Sequence, residues 1–299
     1  MAMNALVLST FRNPLVDGWD SLDLRNQPVW RLGLDPRARN EVARHLLRHG
    51  GAPADTIRKS EFPALAALAS TARAELASGT GIAWIRPSNR AGQDRETAGG
   101  FLSIFASLLG MAHRSIDLAP AAVAARTMST DVIDGFVPDV VGATWLDDAE
   151  AADELHAVSA AAVHDEILET RPDCVRALYR TVLHLTHRLH DDPNRSGRSV
   201  RAPIYRYERS ARSLEFRYSR ARILAAHELS GHDVPAQVLE AFDVLDKTMT
   251  LSHLVATIRP RCGDLVFVHN RRVATSGLID PAPGSANRQV RALRVVDTS

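Results

Sequence analysis

The spacing of hydrophobic and polar positions changes character along the chain. Between residues 36 and 80 the apolar residues recur at helical intervals. DPRARNEVARHLLRHGG enters on Asp35-Pro36 and leaves on Gly50-Gly51, a start and a stop signal for a helix. EFPALAALASTARAELASGTG then repeats Ala and Leu at helical spacing up to Gly79. GIAWIRP (81–87) is a short continuous apolar run and reads as a buried strand. DRETAGGFLSIFASLLG (94–110) returns to helical spacing and stops at Gly110. After RSIDL comes a polar, irregular stretch holding TMSTDVIDGFVPD (127–139). VVGATWL (140–146) reads as a strand, and SAAAVHDEILETRPDCVRALY (159–179) as helix with a break at Pro172.

The last third is different. APIYRYE, SLEFRYS, HLVATIRP, GDLVFVHN and RQVRALRVVD are short strand-like runs separated by turns, with one helix, PAQVLEAFDVLDKTMT (235–250), among them. Short strands after a helical front predict an α+β fold, a sandwich or barrel with helices packed outside. No internal repeat and no long linker divides the chain. The expectation is one domain over 1–299, with the mostly helical 1–80 packed on the strand core.

Composition narrows the function. The 299 residues are 45% hydrophobic and 24% charged with a net charge of +1, an ordinary globular balance with no electrostatic reason to bind nucleic acid or an anionic membrane. Two cysteines, Cys174 and Cys262, make no disulfide framework and no metal spacing. Without a basic leader or a long apolar run, a cytoplasmic location is expected. There is no P-loop, GxGxxG, GxSxG or HExxH, so no nucleotide cofactor is indicated.

Five phrases, in order, carry a resemblance: STDVIDGFVPDVVG, SAAAVHDEILETRPD, APIYRYE, LEFRYSRARI and GDLVFVHNRRVATSG. Together they resemble the clavaminate synthase and taurine dioxygenase superfamily of non-haem iron(II), 2-oxoglutarate-dependent oxygenases, from about Gly79 to the C-terminus. The resemblance implies a double-stranded β-helix (jelly-roll) core with flanking helices. It also implies an iron site of two histidines and one carboxylate.

At the matching positions two of the three ligands are absent. The His-x-Asp/Glu pair falls on Ser129-Thr130-Asp131, so only the carboxylate Asp131 remains. The second histidine, two residues after NRRV, falls on Thr275. A threonine that helps hold 2-oxoglutarate in the family falls within Ala152-Asp153-Glu154-Leu155, which has no hydroxyl. The arginine for the distal carboxylate matches Arg288, with Arg291 as the alternative. Neutral imidazole is a strong ligand for iron(II) and a neutral hydroxyl a poor one. The expectation is therefore no bound metal and no cofactor, iron and 2-oxoglutarate entering only if the metal site is unusual.

What remains suits proton transfer. Asp131 in a partly apolar barrel mouth is a general acid or base, or else a structural ion-pair partner. Ser129 and Thr275 orient a substrate oxygen, or simply fill space. Arg288 clamps a substrate carboxylate. Because the family's substrate pocket is lined from this region, Arg217 and Arg220 are further substrate-binding candidates. His184, His187 and His190 fall three apart in HLTHRLH, a spacing that would group them on a helix face. Three readings stand: a cofactor-independent lyase, isomerase, cyclase or hydrolase acting on a small amino-acid-derived carboxylate in specialised metabolism; a non-catalytic pseudoenzyme, alone, as a homo-oligomer or with an active homologue; and an active oxygenase with an unusual metal site.

Overall fold

A computed structural model describes residues 18–26, 28–49, 57–87, 95–110, 112–116, 128–130, 138–145, 154–185, 199–208, 213–276, 278 and 288–294. A six-stranded mixed sheet runs in the order β1 (Arg31–Leu34), β2 (Ile82–Pro87), β11 (Leu265–His269), β4 (Val140–Trp145), β13 (Arg288–Arg294), β3 (Ala112–Ile116). Only β1 and β2 are parallel. A three-stranded antiparallel sheet holds β10 (Ala256–Ile258), β5 (Leu155–Ser159) and β12 (Val273–Ser276). Two hairpins complete the strands, β6 (Thr181–Leu185) with β7 (Ser199–Pro203), and β8 (Tyr205–Glu208) with β9 (Ser213–Phe216).

Strand alternation explains the layers, because successive side chains of a strand face opposite ways. Ile82, Trp84, Val141, Ala143, Val266 and Val268 of the large sheet meet Leu155, Ala157, Ala256, Ile258 and Val273 of the small one in a single apolar layer. The intervening residues Ala83, Ile85, Leu265 and Phe267 turn outward. They pack under α2 (Pro36–His49), α3 (Pro63–Ser78) and α4 (Arg95–Leu108). On the outer side of the small sheet, Val158 and Ala274 meet α5 (Ala160–Thr170), α6 (Pro172–Leu178) and α8 (Ala236–Thr248). The result is helix, sheet, sheet, helix. Because both faces of each sheet are covered, its strands read as near-continuous apolar runs.

Several expectations change. LHAVS is a strand, β5, although its neighbour had been read as a turn. RARILAAHELS forms α7 (Arg220–Ser230), a helix absent from the sequence reading. His184 stands on β6, not on a helix, so its three-residue spacing carries no shared face; His187 and His190 lie outside the described residues. Among the described residues, no helix is long and apolar enough to cross a membrane.

Candidate functional site

Ser129 and Thr275 are brought together. Their backbones exchange two hydrogen bonds, Ser129 N–H to Thr275 O and Thr275 N–H to Ser129 O, each 3.0 Å. Residues opposed in this way share a face of the sheet, with Cβ atoms about 5 Å apart. Which face follows from β12: Val273 lies in the layer between the sheets and Ala274 in the helix-side core, so Thr275 points between the sheets with Val273. Its other neighbour in the row, Ala157, lies in the same layer. The two hydroxyls therefore stand side by side on the inner face of the small sheet, Thr275 at 3% exposure and Ser129 half-buried.

The polar tripeptide Asn270-Arg271-Arg272 holds this pair in place. Asn270 Nδ2 donates to Pro138 O at 2.9 Å, and its backbone N–H donates to Asp139 O at 2.8 Å. Arg271 pairs with Asp139 at 2.9 Å and with Glu215 at 3.1 Å. Arg272 donates to the last carbonyls around the end of α3: Leu76 O at 3.2 Å, Ala77 O at 2.9 Å and Gly79 O at 2.8 Å. The turn thus clamps three distant segments, and β12 leaves it in a set direction. Sequence reasoning took these residues for a polar strand exit; only their partners reveal the clamp.

The remaining candidates separate. Asp131 lies outside the described residues, two positions beyond Ser129. On β13 the register sets Arg288 opposite Trp145, a member of the inter-sheet layer, and Arg291 opposite Gly142, in the alternate row. Arg217 follows β9, between Phe216 and Tyr218, both in the helix-side core. By alternation it faces the other way, toward the side of Ser129. Tyr218 O accepts from Thr130 N–H at 2.7 Å, so Arg217 and Ser129 are each the residue before a member of that bonded pair. Arg220 instead pairs with Asp243 at 2.7 Å and Asp246 at 2.8 Å, at the α7–α8 contact. Of the candidate turn residues, Glu154 pairs with Arg259 at 2.6 Å and Leu155 opens β5; Ala152 and Asp153 lie outside the described residues.

Burial keeps the nearby histidines neutral. His184, with Arg217 as a second cause, and His269, with Arg272 and Arg271, are both pushed down to about 4. One described group of His, Cys, Asp and Glu side chains is close enough to share a cation: Asp173, Cys174 and Glu240. Arg171 already bridges its two carboxylates at 2.7 Å each. Burial raises the Cys174 thiol to about 11, which keeps it protonated.

No family model and no curated protein matches the chain. Solved structures do. Asparagine oxygenase in complex with Fe(II), 2S,3S-3-hydroxyasparagine and succinate superposes with a TM-score of 0.58 at 18% identity, over 89% of this chain and 93% of that one. The non-heme iron oxygenase OrfP matches with Fe, succinate and (3R,4R)-dihydroxy-L-Arg at a TM-score of 0.52 and 16% identity, over 89% of this chain and 93% of that chain. With Fe and alpha-ketoglutaric acid it matches at 0.54 and 16%, over 89% and 94%.

This likeness corrects the expectation that no cofactor is used: the solved proteins of this fold hold iron with 2-oxoglutarate or succinate, so these are the groups to which the fold points. The described donor set does not fit the usual iron site, however, because Ser129 and Thr275 offer hydroxyl oxygens where imidazole nitrogens would bind.

Proposed function

From the premise that this chain has the fold of the iron oxygenases of the clavaminate synthase and taurine dioxygenase superfamily, we propose that it acts on a small amino-acid-derived carboxylate by proton transfer. The two-sheet sandwich is then a double-stranded β-helix, with the substrate held between its sheets beside Ser129 and Thr275. The observation that carries this reading is the hydrogen-bonded Ser129–Thr275 pair, which turns two hydroxyls inward from adjacent strands. Each hydroxyl is one donor and an acceptor, so the pair grips a substrate oxygen and fixes its orientation. Asp131, two residues on, is the proton acceptor, and Arg288, in the row of Trp145, anchors a carboxylate. That asparagine oxygenase and OrfP were solved with amino-acid ligands supports the substrate class.

The test supplies the chain with iron(II), 2-oxoglutarate and oxygen, together with a panel of free amino acids and their derivatives, and reads product masses. The expected product is redox-neutral: an isomer, or the substrate changed by water or ammonia. Ser129→Ala with Thr275→Val slows its formation by about 10–100-fold, the effect of losing hydrogen bonds of ~1–3 kcal/mol. A product gaining one oxygen atom with one succinate per turnover would overturn the proposal and establish oxygenase chemistry.

A further inference from the structure

We propose that Arg217 is the specificity-determining residue of this cavity, binding the ligand's carboxylate directly and selecting it over the corresponding amide. This rests on the reading of the cavity as a small-carboxylate site, and it adds the group that recognises the charge from the small-sheet side.

Arg217 is half-buried, and its guanidinium has neither an ion pair nor a hydrogen bond, unlike the arginines around it. Arg271 is held by Asp139 and Glu215. Arg206 is held by Glu208 at 3.1 Å and Glu215 at 3.2 Å. Each nearby carboxylate is thus already engaged by another guanidinium, and His184 beside Arg217 is neutral, so it adds no charge of its own. Burial and the Arg271 charge both weaken the charged form of Arg217. A desolvated cation without a partner is costly to a folded protein. Its position gives that cost a use: Arg217 stands on the face of Ser129, one bonded residue pair away. A planar guanidinium fork binds a carboxylate with two parallel hydrogen bonds, and an amide cannot match that charge.

Calorimetry on the full chain tests this with two matched pairs of probes, succinate with succinamide and L-asparagine with L-asparaginamide. The wild-type protein is expected to prefer the carboxylate of at least one pair by about tenfold or more, the scale of a charge-assisted hydrogen bond. Arg217→Met should abolish the preference, and Arg217→Lys should keep part of it. Arg217→Met should also unfold at the same or a higher temperature than wild type, since it removes an uncompensated charge; a structural arginine would lower it. Three results would overturn the assignment: no preference in the wild type, a preference unchanged in Arg217→Met, or loss of folding stability in that variant. The proton-transfer reading fails separately. Oxygenated product together with a lost preference in Arg217→Met would sink the reaction type and leave Arg217 in place, and redox-neutral turnover with an unchanged preference would do the reverse.

Discussion

Thr275 contributes a hydroxyl at a point where the backbone is tied to Ser129 by two 3.0 Å hydrogen bonds, so its side chain has little choice of direction. The chemistry of the site therefore follows from residue identity at two positions. Restoring imidazoles tests this. Ser129→His with Thr275→His is expected to raise iron(II) affinity at least tenfold over the parent in anaerobic titration, because nitrogen donors bind this ion far better than neutral hydroxyls. Equal affinities would show that these positions do not face the metal. Both residues were legible in the sequence, from their place in STD and in NRRVAT. Arg217 was legible only as one arginine among many, since a missing partner cannot be read from a string of letters.

Elements here are held as much by side chains from elsewhere as by their own sequences. The end of α3 is the plainest case, its final carbonyls meeting the Arg272 guanidinium from 193–196 residues along the chain. Arg272→Met keeps the apolar stem and removes these bonds. It is expected to cost about 1.5–3 kcal/mol and to speed amide exchange at the start of β2, which follows α3. Unchanged exchange there would refute the clamp. The two misread elements have physical reasons. β5 is short and buried along nearly its whole length, so it lacks alternation, and it runs into α5 through the Ser159 cap. α7 buries only Ile223 and Ala226, which leaves a weak periodic signal, although Gly231 in the left-handed region at φ 68° does mark its end.

For the whole molecule, acid is the informative perturbation, because its sensitive groups lie in different parts of the fold. His184 on β6 and His269 at the end of β11 both sit near 4, below the ordinary 6.5. A histidine with a depressed value favours the neutral form in the folded state. Its contribution is fully present above 6.5 and is lost as the pH falls toward 4, at about 1.4 kcal/mol for each tenfold change in proton affinity. The urea midpoint is therefore expected to drop across that window, and His184→Gln should flatten the drop. A midpoint constant from pH 7 to 4 would contradict the burial of both rings. The sequence by itself determined the apolar runs, the α+β class and the replacement of two imidazoles by hydroxyls, because these depend on local period and residue identity. Tertiary structure alone decided that Ser129 and Thr275 meet across strands, that Arg271 and Arg272 serve as clamps, and that Arg217 is left without a partner. Each of these depends on contacts between residues far apart in the chain, which no local pattern encodes.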